Sequence, residues 1–216
     1  MKRFAAPGWR IAGSFVSWFA FVFFFMGLFQ VSGVVIGLGG FCASGGAYEI
    51  SVECPEAVVI FAPLGIFGMM AAVVVGLVFA REFGTPLVLW AWPILFVGLG
   101  AQFFAGAFID GQVAVVNILL GLMFVVMGVI PLWWSIRAGV QPFLLGNANA
   151  LDQQFVYRDT GRKSLFGPRY EKGAAEPVVP TAGDWTLSLG ILLAAVVLGG
   201  YLSVLAFNAV GSSGAA

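Results

Sequence analysis

The sequence predicts an all-α integral membrane protein, a bundle of five transmembrane helices. Three observations carry that expectation. Hydrophobic residues make up 61% of the 216 positions and charged residues only 9%, against about 25% charged in an ordinary soluble domain. The apolar residues gather into five runs free of charge, each long enough to cross a bilayer of roughly 30 Å hydrocarbon thickness. The basic residues between those runs then fall on one face of the membrane when five crossings are drawn.

The first run, 11–39, follows Lys2, Arg3, Trp9 and Arg10. At about 1.5 Å per residue it reaches some 43 Å, so it is expected to tilt or protrude. It is also about twice as long as the apolar core of a secretory signal, so it is expected to remain as a helix. The second run, 57–80, ends at Arg81-Glu82, and the third, 86–108, at Asp110-Gly111-Gln112. The fourth, 113–136, ends at Arg137, and residues 1–137 thus form a four-helix transmembrane part. Residues 138–184 are polar, and 185–216 comprise a fifth helix and a short tail.

With five crossings all ten Lys and Arg share one side, while Glu49, Glu53, Glu56 and Asp110 lie on the other. Basic loops are retained in the cytoplasm during insertion, which predicts a cytoplasmic N-terminus and an extracytoplasmic C-terminus. The acidic rim is what remains where basic residues are excluded. Sparing use of lysine, three against seven arginines, points to a bacterial plasma membrane as the location. Trp9, Trp133, Trp134 and Trp185 fall at the cytoplasmic helix ends, the headgroup depth that indole rings favour. Trp90 and Trp92 stand a turn further in, either in that belt or facing a partner.

Cys42 and Cys54 are the only cysteines, and both fall in the outer loop between helices one and two. On the oxidising side of a membrane a disulfide is expected. Gly45-Gly46 supply the turn, and closing a loop of this length stabilises it by roughly 3 kcal/mol.

The chain has no histidine, which excludes His-ligated metals, Ser-His-Asp triads and imidazole relays. No cofactor or metal is expected. No span holds an ionisable residue of the kind that marks transporters and pumps. The candidate intramembrane polar contacts are Gln30, Gln102 and Asn117, expected to bond other helices, with Asn117 close enough to the surface to meet water. Pro63, Pro93 and Pro131 each remove a backbone hydrogen bond inside a span. The small-residue pairs Gly33–Gly37 and Ala101–Ala105, four apart, are expected at close helix crossings.

In the polar segment, Phe155–Arg158 and Lys163–Phe166 flank Asp159-Thr-Gly161, a pattern that predicts a short hairpin turning at the glycine. Tyr157, Arg158, Arg162, Lys163, Phe166, Arg169 and Tyr170 make a basic and aromatic cluster, a candidate contact for anionic lipid headgroups or a partner protein. Five acids in the same segment cancel the charge and argue against nucleic acid.

These features point to a non-catalytic accessory, scaffold or assembly subunit of a larger plasma-membrane complex, with membrane lipids and membrane-protein subunits as partners. The alternative is a subunit of an oligomeric small-molecule or ion transporter or channel, lined by Gln102 or Asn117. A lipid-modifying enzyme using Asp110 or Glu56 is the remote third, because no second catalytic group stands at a telling spacing.

Overall fold

A computed structural model describes residues 8–40, 42–43, 52–80, 84–108, 113–138, 144–145, 156–164, 167–173 and 182–213. Five of its helices are long and apolar enough to cross a membrane, as the sequence predicts. They are α1 (Gly8–Gly37), α2 (Glu56–Val75) extended by a π-helical turn (Gly76–Ala80), α3 (Leu87–Gly106), α4 (Val115–Ala138) and α5 (Ala182–Ser213). The chain is therefore a multi-pass membrane protein.

Local chemistry sets the helix ends. Gly39 and Gly40 have φ of 94° and 91°, the left-handed backbone glycine adopts without penalty. Gly40 N donates to Val35 O at 2.9 Å and Gly39 N to Ile36 O at 3.1 Å. This pair of bonds is a Schellman ending, and it stops α1 two residues before the apolar run itself stops. Pro55 and Pro86 are the N-caps of α2 and α3, where a missing N–H costs nothing.

α1 is the hub. It packs along α2, α5 and α3, whereas α4 packs chiefly on α3. Trp18, Phe21 and Val22 of α1 form the centre of one core with Met69, Ala72, Leu87 and Ala195. A second core nearer the disulfide joins Val31, Ala57, Val58, Phe61 and Phe207.

Close approach depends on small residues, mostly other than the pairs the sequence suggests. A methyl carbon at Gly199 would fall 2.6 Å from the Phe19 carbonyl oxygen, and one at Gly27 3.6 Å from Ser203 Oγ. Both helices advance together through these contacts, so α1 and α5 run parallel. The face α5 presents is Ala195, Gly199 and Ser203, small residues four apart, with Ala195 and Ser203 fully buried. α3 and α4 meet at Gly100 and Gly121, where a methyl on either would lie 2.9 to 3.1 Å from the other's carbonyl oxygen. By contrast nothing lies within 4 Å of a methyl at Gly37, and Ala101 and Ala105 are exposed. Of the expected crossings, Gly33 alone lies against a neighbour, Gln102 of α3, while Gly37, Ala101 and Ala105 face none. Spacing alone does not distinguish a small residue facing a helix from one facing lipid.

The hairpin is present with a different turn. β1 (Val156–Ser164) pairs antiparallel with β2 (Gly167–Gly173) from Val156↔Gly173 to Ser164↔Gly167. The pairing continues past Gly161 to Ser164↔Gly167, so the chain does not reverse at Gly161. Between Asp159↔Tyr170 and Lys163↔Pro168 the register shifts, so Thr160, Gly161 and Arg162 stand opposite Arg169 alone. Gly161 serves a bulge, the other irregularity that glycine in a strand permits. The register also places Arg158 opposite Glu171.

Candidate functional site

The polar groups of the bundle occupy three levels. At one end the Cys42–Cys54 bridge has an S–S length of 2.01 Å and a Cα–Cα distance of 4.9 Å. Backbone bonds reinforce it: Ala43 N donates to Val52 O and Cys54 N to Ala43 O, both at 3.0 Å. Both cysteines pack on the core of Val31, Phe61 and Phe207, so the bridge joins the ends of α1 and α2 against α5. Glu53 and Glu56 are exposed beside it. Tyr48, Glu49 and Asp110 lie outside the described residues.

Within the spans, the Gln30, Gln102 and Asn117 amides each donate to a backbone carbonyl, whereas the buried Ser203 Oγ of α5 has no partner among the described residues. Gln102 Nε2 donates to Phe29 O of α1 at 3.1 Å, and the amide packs where Gly33 leaves room for it. Asn117 Nδ2 donates to Gly106 O at 3.1 Å, one of the last α3 carbonyls, which have no partner within their own helix. Gln30 differs from expectation: its Nε2 donates to Met26 O of its own helix at 3.2 Å. A glutamine amide reaches one turn back as readily as it reaches a neighbour, and no spacing rule separates the two.

One residue of this level was legible only as an aromatic. Trp92 Nε1 donates to Met127 O of α4 at 3.1 Å. In an α-helix that carbonyl accepts from residue 131, four positions on, which here is Pro131 and has no N–H. Trp92 thus supplies from α3 the bond that proline removes from α4. Its ring continues a line of aromatic contacts, with Phe96 at 4.3 Å and Phe96 to Phe124 at 5.7 Å between centroids.

The opposite end carries Arg10 and Arg137, whose guanidinium carbons lie 5.0 and 5.1 Å from the Trp9 and Trp133 ring centroids. Trp9, Trp133 and Trp134 are exposed there, in keeping with interfacial anchoring. Further in, Trp18 Nε1 donates to Thr85 O at 2.8 Å, and Thr85 Oγ1 donates to Leu144 O at 2.7 Å. Leu145 beside it is buried. Thr85 therefore links α1, the start of α3 and the segment that follows α4.

Just before Thr85, Gly84 has φ of +71° and lies close to two hydroxyls: a methyl there would be 3.1 Å from Ser14 Oγ and 3.3 Å from Ser188 Oγ. Ser14 and Ser188 are each 3% exposed. Ser188 Oγ, and Nε and Nη1 of Arg10, are shielded from solvent and have no hydrogen-bond partner among the described residues. Sequence reading missed Ser14, Ser188, Thr85 and Trp18 because isolated serines and an inward tryptophan carry no periodic signal.

Of the expected headgroup or partner contacts, Tyr157, Arg158, Arg162 and Lys163 lie on β1 and Arg169 and Tyr170 on β2. Phe166 lies outside the described residues. Among the described residues no three of His, Cys, Asp or Glu gather where one metal ion would reach them. In comparisons with protein-family models, curated proteins and solved structures, nothing matches this chain.

Proposed function

We propose that the chain is a non-catalytic accessory or assembly subunit of a larger membrane complex, inserted in a bacterial plasma membrane with its N-terminus and arginine end in the cytoplasm. The observation that carries this reading is how the intramembrane donors are used. Gln102, Asn117 and Trp92 all close backbone carbonyls of neighbouring helices or helix ends. Donors spent in this way fix helix against helix, and the Gln102 and Asn117 amides are committed to backbone carbonyls where a transport role through them requires groups free to face a path. α4 adds a second support: apart from Gly121 and Gly128 its described side chains are exposed or half-buried, and most are large and apolar. Such a helix stands at the edge of the bundle, open to lipid or to a partner's helix.

The test is purification in a mild detergent followed by native gel electrophoresis. The expected result is a complex containing other membrane proteins, lost when residues 152–172 are deleted and insertion is retained. A homo-oligomer alone, together with solute flux in reconstituted vesicles, would refute the accessory reading in favour of the transport one.

A further inference from the structure

We propose that one face of the β1–β2 hairpin, the one bearing Tyr157, Lys163, Tyr170 and Lys172, lies on the anionic headgroups of the bilayer around the arginine end of the bundle. The register assigns that face. Residues directly opposite each other in an antiparallel pair share a side of the sheet, as do residues two apart along a regular strand. Tyr157 stands opposite Lys172, Asp159 opposite Tyr170 and Lys163 opposite Pro168, so these six share one side. Arg158, Arg169 and Glu171 fall on the other. Both tyrosines and both lysines of the hairpin are therefore gathered together, apart from the two arginines.

A two-stranded hairpin is marginal alone in water, and among the described residues β1 and β2 pack chiefly on each other. A third strand is a poor supplement at either edge. The irregularity at Thr160–Arg162 interrupts β1, and Pro168 removes an N–H donor from β2. A face of tyrosine and lysine suits headgroups instead: the ring favours that depth, and the lysine stem lies along apolar surface while its ammonium stays among phosphates. The charge agrees, because Arg158, Arg162, Lys163, Arg169 and Lys172 outnumber Asp159 and Glu171, and the other acids of the segment, Asp152, Glu176 and Asp184, stand outside the hairpin. Chain length holds it near the surface. Gly173 is joined to the start of α5 at Ala182 by no more than about 30 Å of extended chain, and upstream the Leu144 carbonyl is bonded to Thr85 in the bundle. With the arginine end in the cytoplasm, as proposed above, the surface within reach is the anionic inner leaflet.

The experiment is hydrogen exchange over 156–173 in the purified full chain, held in nanodiscs of phosphatidylcholine with or without phosphatidylglycerol. The quantity read is the ratio of the two exchange rates for each variant, so a change in the hairpin's own stability cancels. Wild type is expected to exchange roughly tenfold more slowly with phosphatidylglycerol, a difference that fades in about 0.5 M salt. Lys163→Gln with Lys172→Gln is expected to bring the ratio close to one, and Tyr157→Ser with Tyr170→Ser to reduce it severalfold. Arg158→Gln with Arg169→Gln removes the same charge from the other side and is expected to keep most of the ratio. Equal loss in the two charge-matched pairs would overturn the proposal, since diffuse attraction prefers no face. So would equal exchange of wild type in both lipids. Protection that appears only with co-purified membrane proteins present would assign the hairpin to a protein partner, overturning the lipid contact while leaving the accessory reading standing.

Discussion

α1 and α4 are both apolar spans bearing one arginine and small residues, yet one is the centre of the bundle and the other its edge. In α1 the residues facing neighbours include Ser14, Ser17, Trp18, Phe21, Val22 and Val31, all buried. In α4 the buried positions are Gly121 and Gly128. Hydrophobicity does not separate them, because lipid solvates leucine as well as a core does. The difference is made by what approaches. α1 is met on several sides by glycines and small residues of its partners, while α4 offers two glycines to a single helix. A central span is thus recognised by its neighbours' small residues, and that claim can be tested on either side of the comparison.

The largest effect is expected at Gly199, where α5 touches the α1 backbone. Gly199→Leu forces a branched side chain against the Phe19 carbonyl, and a cost of at least about 3 kcal/mol follows, at the upper end for overpacking. The checking measurement is the monodisperse fraction in detergent. Gly190→Leu, in the same helix with open space around it, should stay within about 0.5 kcal/mol of wild type. Equal damage from both would mean that the α1–α5 packing does not hold the bundle.

Cys42→Ser comes next, with an expected loss of roughly 3 kcal/mol from reopening the loop. Because the bridge joins α1 to α2 and packs on Phe207 of α5, hydrogen exchange should accelerate at those helix ends and remain unchanged in α3 and α4. Acceleration spread evenly over five helices would erase the distinction between hub and edge.

Gly121→Leu acts on the edge alone. The substitution meets the Gly100 carbonyl and the Phe104 ring, with an expected cost of about 2 kcal/mol. α4 should lose protection against proteolysis while the α1, α2 and α5 contacts persist. Full unfolding of the bundle would place α4 in the core after all.

How much of this was legible before the structure follows the same division. Span positions rest on the cost of charge in hydrocarbon, a property of the residue itself, and the expected runs coincide with the helices to within a few residues. The disulfide was legible because two cysteines allow one pairing. The rest depends on what lies across from a residue. Gly33–Gly37 and Ala195–Gly199–Ser203 have the same spacing, and only the second faces a helix throughout. Gly161 marks an irregular strand as well as it marks a turn, so the hairpin was expected and its continuation to Ser164↔Gly167 was not. Ser14, Gly84 and Ser188 are far apart in sequence, and their proximity is visible only in three dimensions.

One long-range contact nevertheless had a sequence signal, and it yields the smallest expected effect. Pro131 leaves the Met127 carbonyl without its helical donor, so some other donor must reach it inside the membrane. Trp92 does so at 3.1 Å. Trp92→Phe keeps most of the ring packing against Phe96 and removes only the N–H, at an expected cost of roughly 0.6 to 1.7 kcal/mol, the range for interhelical bonds in lipid. Pro131→Ala returns a backbone N–H four residues on, so in that background Trp92→Phe should cost close to nothing. The double-mutant cycle isolates the bond from the packing. If Trp92→Phe costs the same with Pro131 and with alanine there, the indole is held by its ring alone. α4 would then be attached to α3 by glycine packing and aromatic contact, without the polar pin that sets its edge position apart from simple lipid-facing adhesion.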